Sequence, residues 1–192
     1  MSLLKQQVKE SKILQKNSFL LNKNLPLFYS IQSDMTKNSV VILLGANLGD
    51  KEAMFAQVEK HIDENIGEIT CKSKIYESKP WGFESEHNFI NQVLVVDTDF
   101  SAHDVLLRCQ AIENKCGRVR HENAGYESRT IDIDILYYNN DIVDTEDLVV
   151  PHPLLHKRRF TLVPLVEVLP DYVHPIFLKS NAQLLEELKI DN

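Results

Sequence analysis

Thr130-Ile131-Asp132-Ile133-Asp134-Ile135-Leu136-Tyr137 is the stretch on which the fold turns. Isoleucine at every second position has the period of a strand with one buried face. Ile131, Ile133 and Ile135 then point into a core. Asp132 and Asp134 project together from the opposite face, with Cα atoms roughly 6.5–7 Å apart. Aspartate is depleted in strands, so a solvated face accounts for one such residue more readily than for two in succession.

The segments upstream supply the rest of a sheet. Val40-Val41-Ile42-Leu43-Leu44 is a short apolar run ending at Gly45 and reads as a buried strand. Asp50 is placed to cap a helix with apolar Met54, Val58 and Ile62, closed by Gly67. Residues 68–77 alternate, with Ile69, Cys71, Ser73 and Ile75 expected on one face of a half-buried strand. Residues 78–88, with Pro80, Trp81 and Gly82, read as a loop, and residues 89–99 as a strand rich in valine. Ser101 caps a second helix on which Val105, Cys109, Ile112 and Cys116 share a face, and Gly117 ends it. A charged loop over 118–128 leads back to the acidic strand. The order β-α-β-β-α-β predicts an α+β, ferredoxin-like antiparallel sheet with two helices on one face. A small strand pair and a short helix near Leu162–Leu169 are expected in the proline-spaced stretch 151–175. One domain is expected over residues 39–192.

Composition bounds the function. The chain has 192 residues, 43% hydrophobic and 26% charged, as an ordinary globular domain does. Three cysteines without a C-x-x-C pair exclude a zinc or dithiol motif and fit a reducing cytoplasm. No apolar stretch approaches the ~20 residues of a membrane-spanning helix. The net charge of −7 argues against nucleic acid as a partner. Residues 1–38 are unlike the rest. Their six lysines face only Glu10 and Asp34, giving +4, which leaves −11 for residues 39–192. They read as a weakly ordered extension without signal-peptide character, and Met35 is a second candidate start.

Around the acidic strand lies a basic cluster: Arg118, Arg120, His121 and Arg129 beside it, and Lys157, Arg158 and Arg159 downstream. Paired carboxylates suit magnesium shared with phosphate oxygens, and two ions about 3.5–4 Å apart would suit phosphoryl transfer. Guanidiniums bind phosphate bidentately. Taken together these groups describe a nucleoside triphosphate site without a P-loop. Trp81, Phe89 and Asn91 could sandwich a flat heterocycle and read its edge. Solvated acids, intramolecular Arg–Asp pairs and ordinary aromatic packing account for each element taken alone.

Five motifs occur in one order: Leu44-Gly45-Ala46-Asn47-Leu48-Gly49, Asn88-Phe89-Ile90-Asn91, Glu113-x-x-x-Gly117-Arg118-Val119-Arg120, Arg129-Thr-Ile-Asp132-Ile-Asp134-Ile-Leu136 and Val150-Pro151-His152-Pro153. Over residues 39–175 the chain resembles the 6-hydroxymethyl-7,8-dihydropterin pyrophosphokinases. The resemblance implies transfer of diphosphate from ATP to the pterin hydroxymethyl group, with release of AMP, in folate biosynthesis. It implies two magnesium ions on Asp132 and Asp134, and Arg118, Arg120 and Arg129 on the triphosphate, with Arg118 on a closing loop. Gln110, Glu113, Ile135, His152 and Arg158 would complete the ATP side. On the pterin side it implies Asn91 at the ring edge, Phe89 and Phe160 on the ring faces, and Ser78, Pro80 and Trp81 along the wall. Gly45 and Asn47 would shape that pocket, and Tyr126 stands where the family often has tryptophan. Lys79 likewise replaces a common proline. A cytoplasmic monomer that binds ATP first is expected. A ferredoxin-like sensor of small molecules and a purely structural subunit are the rival readings, and neither needs paired acids beside several arginines.

Overall fold

The computed structural model describes residues 37–82, 85–118 and 128–190. The extension expected before residue 39 thus lies almost wholly outside the described residues. Strand β1 (Asn38–Ala46) is central to a five-stranded antiparallel sheet. It pairs on one side with β4 (Phe89–Thr98) and on the other with β5 (Asp132–Tyr138). Strands β2 (Glu68–Lys72) and β3 (Tyr76–Ser78) both add to the far edge of β4. The order β2–β4–β1–β5, with α1 (Lys51–Asn65) and α2 (Ala102–Lys115) as crossovers, is the ferredoxin-like arrangement anticipated.

The apolar run in β1 fails to alternate because both of its faces are buried. Val40, Ile42, Leu44 and Ala46 enter a core with Phe55, Val58 and Ile62 of α1 and Val105, Cys109 and Ile112 of α2. Val41 and Leu43 enter a second core on the other face. That second core is closed by Leu162 and Leu165 of α3 (Arg159–Val168) and Leu184 of α4 (Asn181–Ile190). The sheet therefore carries helices on both faces: α3 is the short helix expected near Leu162–Leu169, begun three residues earlier, and α4 is one more than the sequence pattern indicated.

Both crossover helices begin as anticipated. The Asp50 carboxylate accepts from Ala53 N at 3.1 Å, and the Ser101 hydroxyl accepts from Asp104 N at 3.2 Å. The single strand expected over 68–77 is instead two. The register shifts between Ile69 and Cys71, which turns Cys71 out to solvent. Buried Ser73 then binds β4 closely: its N–H donates to Val93 O at 2.9 Å and its hydroxyl accepts from Val93 N at 3.0 Å. Ile75, released from the ladder, is 41% exposed. The small strand pair falls earlier than expected, between β6 (Val143–Asp144) and β7 (Val149–Val150), ahead of Pro151.

Gly67 joins α1 to β2 where the backbone of β4 passes closely, and a Cβ there would stand 2.0 Å from Asp97 O. Gly67→Ala should therefore destabilise the fold by about 1–3 kcal/mol or more in urea titrations. An unchanged midpoint would show that the α1–β2 junction packs differently.

Candidate active site

The face of β5 away from α1 and α2 is the floor of a cavity of about 460 Å³. Ile131, Ile133 and Ile135 are buried in the first core, as their spacing predicts. Asp132 and Asp134 consequently emerge side by side into the cavity, with side chains 22% and 30% exposed. Gly45, paired with Asp132 on one side and Asn91 on the other, leaves the floor between them bare.

Guanidiniums surround the acids. Arg118 and Arg129 each donate to a different oxygen of Asp132. Arg158, buried at the start of α3, lies 3.7 Å from Asp134. Glu113, buried on α2, accepts from Arg118 and, at 2.9 Å, from the N–H of Ile133. It therefore braces the acidic strand against the helix as well as lining the cavity. Burial works against the Arg118 charge, and Asp132 and Glu113 outweigh it and raise its pKa.

The two aspartates differ. Burial, then repulsion from Asp132, pushes the Asp134 carboxyl up to about 7, with Arg158 opposing. Both causes disfavour the bare carboxylate, and a hard cation bound to it would offset them. Among the described residues no group of three or more His, Cys, Asp or Glu side chains could hold a metal. The donor set therefore fits magnesium shared with phosphate oxygens and water, rather than a cation caged by protein alone. His152 is pulled down to about 4 by burial and then by Arg158, so it is neutral near pH 7. Its Nδ1 accepts from Leu154 N at 3.2 Å, which leaves Nε2–H as a donor.

The cavity continues toward the loop after β3. Asn91 is 2% exposed, and its Nδ2 donates to Ser78 Oγ at 2.9 Å and to Tyr76 O at 3.4 Å. The donors are thus used within the protein, and Oδ1 is the atom turned toward Gly45. Phe89, Trp81 and Phe160 line this end, and the Trp81 and Phe160 rings meet edge-on at 6.4 Å. The Arg158 guanidinium lies 4.9 Å from the Trp81 ring centre. Arg158, expected on the ATP side alone, therefore sits between the acids and the aromatic end.

Of the anticipated site residues, Gly45, Ser78, Trp81, Phe89, Asn91, Gln110, Glu113, Arg118, Arg129, Asp132, Asp134, Ile135, His152, Arg158 and Phe160 line this one cavity. Pro80 and Asn47 are not on its wall. Asn47 borders a separate hollow with Leu48 and Gly49. Arg120 and Tyr126 lie outside the described residues. The cavity also exposes Leu106, Leu148 and Val149, which went unremarked in the sequence. Leu106 stands four residues before Gln110 on α2 and so shares its face, a signal that was available.

An antiparallel α+β sheet thus presents, at its edge strand, paired carboxylates beneath arginines and next to an aromatic cleft, a setting suited to phosphates and a flat ring without a P-loop. The family model for 7,8-dihydro-6-hydroxymethylpterin-pyrophosphokinase matches residues 41–170, and the chain belongs to that family. A 2-amino-4-hydroxy-6-hydroxymethyldihydropteridine pyrophosphokinase of Aquifex aeolicus is 39% identical over 154 residues, covering 80% of this chain and 92% of that one. Its counterpart in Porphyromonas gingivalis is 38% identical over 138 residues, covering 71% of this chain and 93% of that one. A folic acid synthesis protein of Dictyostelium discoideum is 39% identical across 82% of this chain, which spans only 23% of that longer protein. Among solved structures, Plasmodium falciparum HPPK-DHPS with pteroate superposes with a TM-score of 0.64 at 16% identity. That match covers 79% of this chain and 42% of the other, and bears on the fold.

The raised Asp134 carboxyl has a consequence for stability without metal. The folded state holds a proton that the unfolded chain releases near 3.8, so stability falls as pH rises from about 4 through 7. Asp134→Asn should melt higher than the parent at pH 8 in chelator, with the gap closing near pH 4. A gap of the same size at both pH values would contradict this environment for Asp134.

Proposed function

We propose that this chain transfers diphosphate from ATP to the hydroxymethyl group of 6-hydroxymethyl-7,8-dihydropterin and releases AMP, a step of folate biosynthesis. The observation that carries the reading is the single cavity in which Asp132 and Asp134, three guanidiniums and an aromatic cleft meet. Either carboxylate on an open face would be solvated charge. Here both are partly buried and already face guanidiniums: Arg118 and Arg129 at Asp132, and Arg158 at Asp134.

Asp132 and Asp134 would hold magnesium, with two ions expected from the paired oxygens. When bound, the metal neutralises the triphosphate and fixes its oxygens for displacement. Without it, Asp132 is satisfied by Arg118 and Arg129. Arg118 and Arg129, which meet at Asp132, would be the guanidiniums that engage phosphates held at that carboxylate. Arg118, just beyond α2, closes on the phosphates, and His152 donates through Nε2–H. Leu106, Leu148 and Val149 give the nucleotide base an apolar slot beside Gln110. At the other end Asn91 accepts from the ring edge through Oδ1, with Phe89 and Phe160 against the ring. The hydroxymethyl oxygen then attacks the β-phosphorus in line, the bond to the α-phosphate oxygen breaks, and AMP leaves. Positioning and charge neutralisation supply the catalysis, as phosphoryl transfer leaves the protein little covalent work.

No helix among the described residues is long and apolar enough to cross a membrane, and the three cysteines are free. A cytoplasmic enzyme acting as a monomer is our reading of the chain.

Release of AMP from ATP, magnesium and the reduced hydroxymethylpterin is the direct assay. Asp132→Ala and Asp134→Ala should each lose at least about 10²-fold in turnover. Near-normal AMP production by either at ordinary magnesium would end the metal assignment. Arg118→Ala should depress kcat far more than ATP affinity, because a closing arginine acts on the transition state. A change confined to ATP affinity would contradict that role.

A further inference from the structure

Asn47 is 3% exposed on the turn between β1 and α1, away from the wall of the active cavity. Its hydrogen bonds nevertheless run to both halves of the site. Its backbone N–H donates to Arg129 O at 3.2 Å, and its Oδ1 accepts from Arg129 N at 2.8 Å. Both backbone polar groups of Arg129 are therefore held by one residue, three positions before the Asp132 carboxylate that the Arg129 side chain engages. The other end of the amide reaches two hydroxyls, one beside Arg129 and one in the pocket loop. Nδ2 donates to Ser128 Oγ at 2.9 Å and to Ser85 Oγ at 3.4 Å, and those hydroxyls lie 3.2 Å apart. The Ser85 hydroxyl in turn accepts from His87 N at 3.2 Å. Ser85 belongs to the same connection between β3 and β4 that carries Trp81.

Building on the pyrophosphokinase reading, we propose that Asn47 is a positioning residue for the reaction rather than a pterin contact. Its buried amide sets Arg129 beside Asp132 and ties that setting to the loop bearing Trp81. A buried amide satisfied on both ends is rigid, and removing it leaves several partners unpaired at once. Phosphate-side and heterocycle-side groups are thereby held at one spacing, which in-line attack between two substrates requires.

The test uses the full-length chain, AMP-release kinetics and the emission of Trp81, the only tryptophan. Asn47→Ala should lower kcat about tenfold and raise the KM for the pterin. Ser85→Ala, which cuts only the arm to the pocket loop, should raise the pterin KM and leave the ATP KM alone. The double variant should be no worse than Asn47→Ala, since both act through one network. Trp81 emission should shift in each variant before any substrate is added. A residue that only holds the fold together would lower Tm and leave kcat, both KM values and the emission unchanged well below Tm. That result overturns the proposal. If Asn47→Ala does not fold, Ser85→Ala and Ser128→Ala decide it: an unchanged pterin KM and unchanged emission in both refute the coupling. A parent chain that releases no AMP would instead refute the reaction assigned above, and the emission shift would still report on Asn47.

Discussion

Two carboxylates two residues apart on a strand repel each other wherever water is scarce, and the rest of the site can be understood as an answer to that repulsion. Asp132 is satisfied by Arg118 and Arg129. Asp134 is left with the more distant Arg158 and holds its proton to about 7. The arginines come from three places in the chain: the end of α2, the start of the acidic segment and the start of α3. Charge on β5 thus gathers the elements that a transferase must bring to its substrates. The same constraint sets Arg118, Arg129 and Arg158 around the two carboxylates.

The second helical layer makes this possible. With α1 and α2 alone, the acidic face of β5 would be open to water, where ion pairs are worth little. Helix α3 packs Leu162 and Leu165 against Val41 and Leu43 of β1 and thereby brings Arg158 and Phe160 to the cavity. From the other side, Glu113 ties α2 to β5 through the Ile133 N–H. The cavity is a gap between two packed layers, and its walls are as fixed as the cores behind them.

The strand order and the acidic pair were legible because both rest on local period. Ile131, Ile133 and Ile135 went inward and the aspartates outward, and the caps at Asp50 and Ser101 began their helices as read. The unbroken run Val40–Leu44 also held the clue to a second layer, since a strand without alternation is covered on both faces. The break within 68–77 was not legible, because the register shift between Ile69 and Cys71 leaves composition unchanged and the hold of Ser73 on Val93 depends on β4. The separation of Asn47 from the cavity was hidden likewise: a motif residue two positions after Gly45 reads as pocket lining until its hydrogen bonds to Arg129 and Ser128 are seen. Arg158, read as a phosphate ligand, proved to bridge both ends because α3 starts three residues before the predicted helix.

Calorimetric titration with a non-hydrolysable ATP analogue, with and without magnesium, tests most directly whether the β5 carboxylates exist to receive metal. Tight binding should require magnesium and disappear in chelator, since without the cation Arg118 and Arg129 stay committed to Asp132. Binding of equal strength in chelator would show that the acids are structural ion-pair partners and that the nucleotide site does not depend on them.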